Sequence, residues 1–178
     1  MAVVVPVSPS YFQFDQQGVV FNMWYFAWFD DAMAQFLGEA GYPYQAMIAD
    51  GLDVQLVHTE ADWREGVRWG ESVLIDVVTE KIGSTSFTLS FAVRVGSQLR
   101  STGRTVYVVV ATDGSGKQPV PSKLRAALES ARLSSILATG PGPHGTQHRY
   151  SVSTIVNVCA VSGVLAGRRA ASDLTRQS

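Results

Sequence analysis

The sequence is short of cysteine, of basic excess and of long apolar runs, and each shortage removes a class of function. A single cysteine, Cys159, cannot form an internal disulfide, which excludes a disulfide framework and fits a reducing compartment. The formal net charge is −1, so the whole chain lacks the positive excess with which proteins hold nucleic acid or anionic membranes. The longest late apolar run, Ile155 to Ala166, falls short of the ~20 residues of a bilayer span and is broken by Asn157, Ser162 and Gly163. The opening Met1-Ala2-Val3-Val4-Val5-Pro6 has no basic region of the kind that starts a signal peptide. The expectation is a cytoplasmic protein that binds neither nucleic acid nor membrane.

Several catalytic signatures are missing as well. The histidines His58, His144 and His148 and the lone cysteine offer no paired spacing for zinc, and neither a metal nor a cofactor is expected. No Gly-x-Ser-x-Gly segment precedes a helix, which argues against an α/β-hydrolase. Gly114-Ser115-Gly116-Lys117 resembles a phosphate loop only in part. The first glycine of that motif is absent and Gln118 replaces its Ser or Thr, so a solvated turn accounts for the segment.

What is present is one core's worth of apolar residues, unevenly spread. The chain has 178 residues, 46% of them apolar and 10% aromatic, which suits a single domain. Residues 1–140 carry 10 basic and 14 acidic side chains, net −4, whereas residues 141–178 carry four arginines and one acid, net +3. Of 18 aromatic residues, only Tyr150 follows Tyr107. Residues 1–138 are therefore expected to form the folded domain. Residues 139–178, which begin with the Gly140-Pro141-Gly142-Pro143 stretch, are expected to be a linker and a basic, poorly ordered tail.

Two periodicities divide the domain. From Phe21 to Ala40 apolar residues recur at helical spacing around nearly the whole circumference, leaving Asp31, Gln35 and Glu39 as a polar stripe. This predicts a long helix buried on most sides, stopped by Gly38, Gly41 and Pro43, with a short helix at Tyr44–Ile48. After Gly51 the period becomes two. Phe87, Leu89, Phe91, Val93 and Val95 alternate with polar or small residues, Val73–Val78 and Val106–Val110 are β-branched runs, and Val54–Thr59 is a weaker strand. Short turns predict antiparallel neighbours, Thr102-Gly103 suggests a bulge, Tyr11–Phe14 suggests a first strand, and Pro121–Leu133 reads as a last amphipathic helix. An apolar helix with one antiparallel sheet to bury it implies an α+β fold in which the sheet curls around the helix.

The informative segment for chemistry is Phe14-Asp15-Gln16-Gln17-Gly18-Val19-Val20-Phe21-Asn22. An acid here precedes a glycine turn that leads into the buried helix, so a carboxylate and the outward-pointing N–H groups of a helix start can share one cleft. The same spacing also suits a simple turn or cap residue.

Asp15-Gln16-Gln17-Gly18-Val19-Val20-Phe21, followed by Tyr25, Trp28-Phe29 and Asp31-Ala32, resembles the 4-hydroxybenzoyl-CoA thioesterase family of hotdog-fold proteins. The resemblance continues in order through Trp69-Gly70-Glu71-Ser72-Val73, Gly83-Ser84-Thr85-Ser86-Phe87, Thr102-Gly103-Arg104-Thr105-Val106 and Pro119-Val120-Pro121, and covers about residues 8–130. It implies a curved sheet of about five antiparallel strands around one long helix. It also implies a homodimer or homotetramer with sites at the subunit interface, and hydrolysis of an acyl-CoA or aroyl-CoA substrate.

Carried over residue by residue, the resemblance gives Asp15 the catalytic acid, acting as nucleophile or as general base. The backbone N–H of Asn22 would belong to the oxyanion hole. Gly18, Tyr25, Trp28, Thr85 and Ser86 would contact substrate, with core packing an equal alternative for Trp28 and Phe29. Lys81, Arg94, Arg100 and Arg104 are unranked candidates for the CoA phosphates. Many members have histidine at the position of Asn22 and an acid at that of Gln13, so those side-chain roles are absent here. The alternatives are an acyl-carrier-protein thioesterase of a polyketide or fatty-acid pathway and a non-catalytic acyl-CoA-binding module. A hotdog dehydratase fits less well, because its catalytic histidine is not in this motif.

Overall fold

A computed structural model of the chain describes residues 3–132 and 150–154. The remainder of the expected tail, with Gly140–Pro143 and Cys159, lies outside the described residues. In chain order the elements are β1 (Val3–Val7), a single 3-10 turn (Tyr11–Gln13), α1 (Met23–Glu39), α2 (Tyr44–Ala49), β2 (Leu52–Trp63), β3 (Val73–Ile82), β4 (Ser86–Val95), β5 (Gln98–Ala111), α3 (Ser122–Ser130) and β6 (Tyr150–Thr154). One antiparallel sheet runs β1-β3-β4-β5-β2-β6, its first five strands forming the curved sheet of a hotdog fold around α1. No helix among the described residues is long and apolar enough to cross a membrane.

The long helix forms where the 3.6 period places it, but its burial is narrower than the sequence suggests. Tyr25, Trp28, Phe29, Ala32, Met33, Phe36 and Leu37 make one buried stripe, while Met23 and Ala27 face solvent and Trp24 and Phe26 are half-buried. The stripe settles on the sheet at a close approach. Phe29 stacks on Phe91 with ring centroids 4.6 Å apart, and it fills the space over Gly103, where a Cβ would stand 2.2 Å from the Phe29 ring. Gly103 is thus required for packing and does not mark a bulge: Ala61 and Phe91 pair with it in regular register on either side.

The irregularities lie elsewhere. On β5 the register against β4 shifts between Ser101 and Leu99, leaving Arg100 as the extra residue. On β2 it shifts between Leu56 and His58. That second shift explains the weak strand signal. Leu52, Val54 and Leu56 pack inward before it and Thr59, Ala61 and Trp63 after it, so the alternation changes phase at Val57 and the twelve-residue strand reads as a short one.

The first strand is Val3–Val7 and not Tyr11–Phe14, which form the 3-10 turn with an isolated bridge from Phe14 to Val20. Pro6 does not exclude a strand here because β1 is a sheet edge, where a missing N–H costs no ladder bond. At the opposite edge, β6 pairs with Thr59–Trp63 of β2, a partner that the sequence pattern does not announce.

Replacing Gly103 with alanine is expected to force the Phe29 ring off Phe91 and lower stability by about 1–3 kcal/mol, the usual cost of overpacking a core. Urea unfolding measures the loss, and a Phe29→Leu change in the same chain should recover part of it.

Candidate active site

The Asp15 turn is built by its own backbone and side chain. Asp15 N–H donates to the Val19 carbonyl (2.9 Å) and Gly18 N–H to the Asp15 carbonyl (3.0 Å), with Gly18 at φ +72°, a conformation that favours glycine. Oδ1 of Asp15 accepts from Gln17 N–H (2.8 Å) and at 3.5 Å from Val19 N–H. Oδ2 has no partner among the described residues, so one carboxylate oxygen of this half-buried residue fixes the turn and the other takes no part in it.

The helix start follows directly. Phe21 N–H donates to the Gln13 carbonyl (2.9 Å), Trp24 N–H to that of Phe21 (3.0 Å) and Tyr25 N–H to that of Asn22 (3.3 Å). The N–H of Asn22 has no partner among the described residues, as expected where a helix begins, and the Asn22 side chain makes no capping bond.

A second segment, the loop from Arg64 to Ser72 between β2 and β3, completes this end of the molecule. Val20 N–H donates to the Val67 carbonyl (2.8 Å), Val19 bridges to Arg68, and Trp69 lies edge-on to Phe14 at 5.3 Å. Gly66 sits so close to Val19 that a Cβ would stand 2.7 Å from that side chain. The loop's anchor is the Arg100 bulge. Arg64 and Glu65 N–H groups donate to the Arg100 carbonyl (2.8 and 3.2 Å), and the Arg100 guanidinium, in a residue only 4% exposed, pairs with Glu65 and with Glu71 at 2.9 Å.

These contacts redistribute the candidates. Tyr25 is fully buried and receives the Val67 N–H on its hydroxyl at 3.3 Å, and burial raises its pKa. Trp28, 3% exposed, packs beside it at 5.0 Å. In the single chain Tyr25 supports the loop, Trp28 packs against Tyr25, and both are buried. Thr85 ends the turn between β3 and β4 and Ser86 opens β4, with Gly83 N–H donating to the Ser86 carbonyl and Val109 N–H to that of Thr85. That turn and the Asp15 end are separated by the length of β3, about 30 Å at ~3.3 Å per residue. Among the cations, Arg94 is bidentate on Asp76, Arg104 is paired with Glu80 and Arg100 is consumed by the loop. Lys81 has no ion pair among the described residues.

Missed by sequence reasoning is a cleft of about 280 Å³ beside the middle of α1, lined by Asp30, Asp31, Met33, Ala34, Tyr44, Val54, Leu56 and Tyr107. The buried Tyr107 hydroxyl donates to Asp30 Oδ1 at 2.8 Å, and that of Tyr44 to Asp53 at 2.6 Å. Loss of hydration raises the Asp30 pKa despite the Tyr107 bond, and burial with the adjacent Asp53 pushes Tyr44 up to about 12. The paired acids Asp30-Asp31 within an apolar helix were the available signal. Elsewhere, Gly114–Lys117 is a solvated turn, with Asp113 accepting from Ser115 N–H. His58 faces Glu60 on β2 and takes no part in the Asp15 turn.

An acid held at the entrance of the central helix of a curled antiparallel sheet defines a hotdog-fold protein with a candidate acyl-transfer site. The family model described as the thioesterase-like superfamily matches residues 12–128, and the chain belongs to that superfamily. A relative from Aquifex aeolicus, named an esterase by inference, is 28% identical over 84 residues, which is 47% of this chain and 66%, just under two thirds, of that protein. A solved protein of Pseudomonas aeruginosa is 25% identical, with a TM-score of 0.67 over 74% of this chain and 92% of its own. A 1,4-dihydroxy-2-naphthoyl-CoA thioesterase from Synechocystis is 19% identical, with a TM-score of 0.65 over 72% and 96%. A 4-hydroxybenzoyl-CoA thioesterase mutant complexed with 4-hydroxybenzoyl-CoA is 17% identical, with a TM-score of 0.66 over 71% and 98%. Identities this low show a shared fold.

The raised Asp30 pKa has a testable sign. A folded-state carboxyl pKa above the unfolded value means that its favourable contribution is complete below about pH 4 and is lost as pH rises through the folded value. Asp30→Asn, which keeps an acceptor for Tyr107, is expected to raise the urea midpoint relative to the parent protein at pH 7, with the difference shrinking towards pH 4.

Proposed function

We propose that the chain hydrolyses an acyl-CoA or aroyl-CoA thioester to the free acid and CoA, with Asp15 as the catalytic carboxylate. The observation that carries this reading is the division of labour at Asp15, where Oδ1 is bound by its own turn while Oδ2, and the N–H of Asn22 at the helix start that the turn leads into, have no partner among the described residues. A thioester carbonyl whose oxygen accepts from that N–H would present its carbon to the carboxylate. The carboxylate then either attacks the carbon, so that the C–S bond breaks to release the CoA thiolate and water cleaves the resulting anhydride, or takes a proton from an attacking water. A preorganised backbone donor strengthens as charge develops on the oxygen, and losing one such donor in other enzymes costs about 3–4 kcal/mol.

The reading includes a homo-oligomer, dimer or tetramer, with residues 1–138 as its catalytic body. In one chain, Ser86 and Asp15 lie at opposite ends of the sheet. A two-fold axis that sets two copies edge to edge and antiparallel would bring the Ser86 end of one to the Asp15 end of the other. Such an axis would also let the 280 Å³ cleft beside α1 serve as an acyl pocket. Its volume supports a ring-sized acyl group, since a cavity of about 150 Å³ already admits benzene. Solubility of acyl-CoA and the lone cysteine both suit a cytoplasmic setting.

Asp15→Asn is the decisive change, because the amide keeps the Oδ1 acceptor that closes the turn and removes only the charge. The expected result is an intact oligomer by light scattering and a loss of roughly 10²–10⁴-fold in thiol release across a panel of acyl- and aroyl-CoA esters. Full activity in this variant would overturn the assignment.

A further inference from the structure

We propose that the β2–β3 loop is the exit path of the CoA arm, with Trp69 against the pantetheine portion and Arg68 and Arg64 on the phosphates. The proposal rests on the thioesterase reading and assigns it a ligand-binding surface that lies outside the Asp15 motif.

Three observations point there. First, the paired state of the cations ranks them. Arg94 and Arg104 are occupied by Asp76 and Glu80 on the sheet, and Arg100 is occupied within the fold. Arg64 and Arg68 are exposed and have no ion pair among the described residues. The acids of the same loop do not cancel them, because Glu65 and Glu71 already face Arg100. The loop therefore presents two open guanidiniums on a domain whose residues 1–140 are acidic overall, and guanidinium matches phosphate in both charge and geometry.

Second, Trp69 is 62% exposed yet held in place, with Phe14 edge-on at 5.3 Å and Tyr11 edge-on at 5.7 Å. A large aromatic ring fixed in position and left open to solvent is a surface for another flat or chain-like group. Third, the loop is joined to the Asp15 segment by the Val20–Val67 hydrogen bond, the Val19–Arg68 bridge and the Phe14–Trp69 contact. Leaving the reacting carbonyl, an outgoing chain meets Trp69 first. Charged groups further along the chain fall within reach of the arginine side chains.

The test compares kcat/KM for a CoA thioester with that for its N-acetylcysteamine analogue, which keeps the amide next to sulfur and lacks the phosphates. Arg68→Ala and Arg64→Ala are each expected to lower the preference for the CoA ester about tenfold, the effect of losing one hydrogen bond to a charged group. Arg68→Glu should lower it further. Trp69→Ala should raise KM for both esters alike. An unchanged preference in both arginine variants overturns the proposal, as does a loss that follows Lys81→Ala instead. Titration calorimetry with free CoA separates this failure from failure of the thioesterase reading. If no ester is hydrolysed by the parent protein, CoA binding weakened about tenfold by Arg68→Ala still supports the surface, and equal binding overturns it.

Discussion

Everything in this molecule depends on how closely α1 can approach the sheet. The helix carries large aromatics on its buried face, and a sheet with a side chain at every inward position would hold it off. At Gly103 there is none, and the Phe29 ring lies in that gap while stacking on Phe91. The close approach lets Tyr25, Trp28, Phe36 and Leu37 be buried together. It also fixes where the helix begins, and so where its first N–H groups stand relative to the turn before it.

A second constraint converts this fold into a site. Arg100 is the surplus residue of a bulge, which turns its carbonyl and its side chain away from the sheet ladder and towards the β2–β3 loop. The carbonyl takes two backbone N–H groups and the guanidinium takes two carboxylates, so one residue determines the course of residues 64–71. That loop in turn binds the Asp15 segment through Val67 and Arg68. Tyr25 links both constraints, since it is part of the helix stripe and accepts the Val67 N–H. A buried tyrosine expected from sequence to contact substrate, and a buried arginine, one of four unranked candidates for the CoA phosphates, act within the chain as supports for the groups around them.

Local patterns were legible where one physical cause acts alone. The 3.6 period of α1, the glycine and proline stop after it, the alternation of β4 and the start of α3 behind Pro121 all follow from chain-local rules, and the structure shows them. Legibility failed where two causes overlap. Pro6 hid β1 because a proline argues against a strand unless the strand is known to be an edge. The phase change at Val57 hid most of β2. Gly103 drew the bulge assignment that belongs three residues earlier, since both a bulge and a close approach ask for small or unusual residues. The pairing of β6 with β2 had no pattern to reveal it, because its partner's edge is a tertiary feature.

By itself the sequence determined the class of fold and the turn that holds Asp15. Asp15 stands in a turn whose geometry is closed by bonds among residues 15–19, within reach of one another along the chain. Tertiary structure decided which other residues accompany it. It brought the β2–β3 loop to the turn from some fifty residues away, withdrew Arg94, Arg100 and Arg104 into ion pairs, and set Thr85 and Ser86 at the far end of the sheet. The physical reason is range. A turn's hydrogen bonds depend on neighbours in sequence, whereas the partner of a charge and the end of a strand depend on register, and register is set only when the whole sheet closes around its helix.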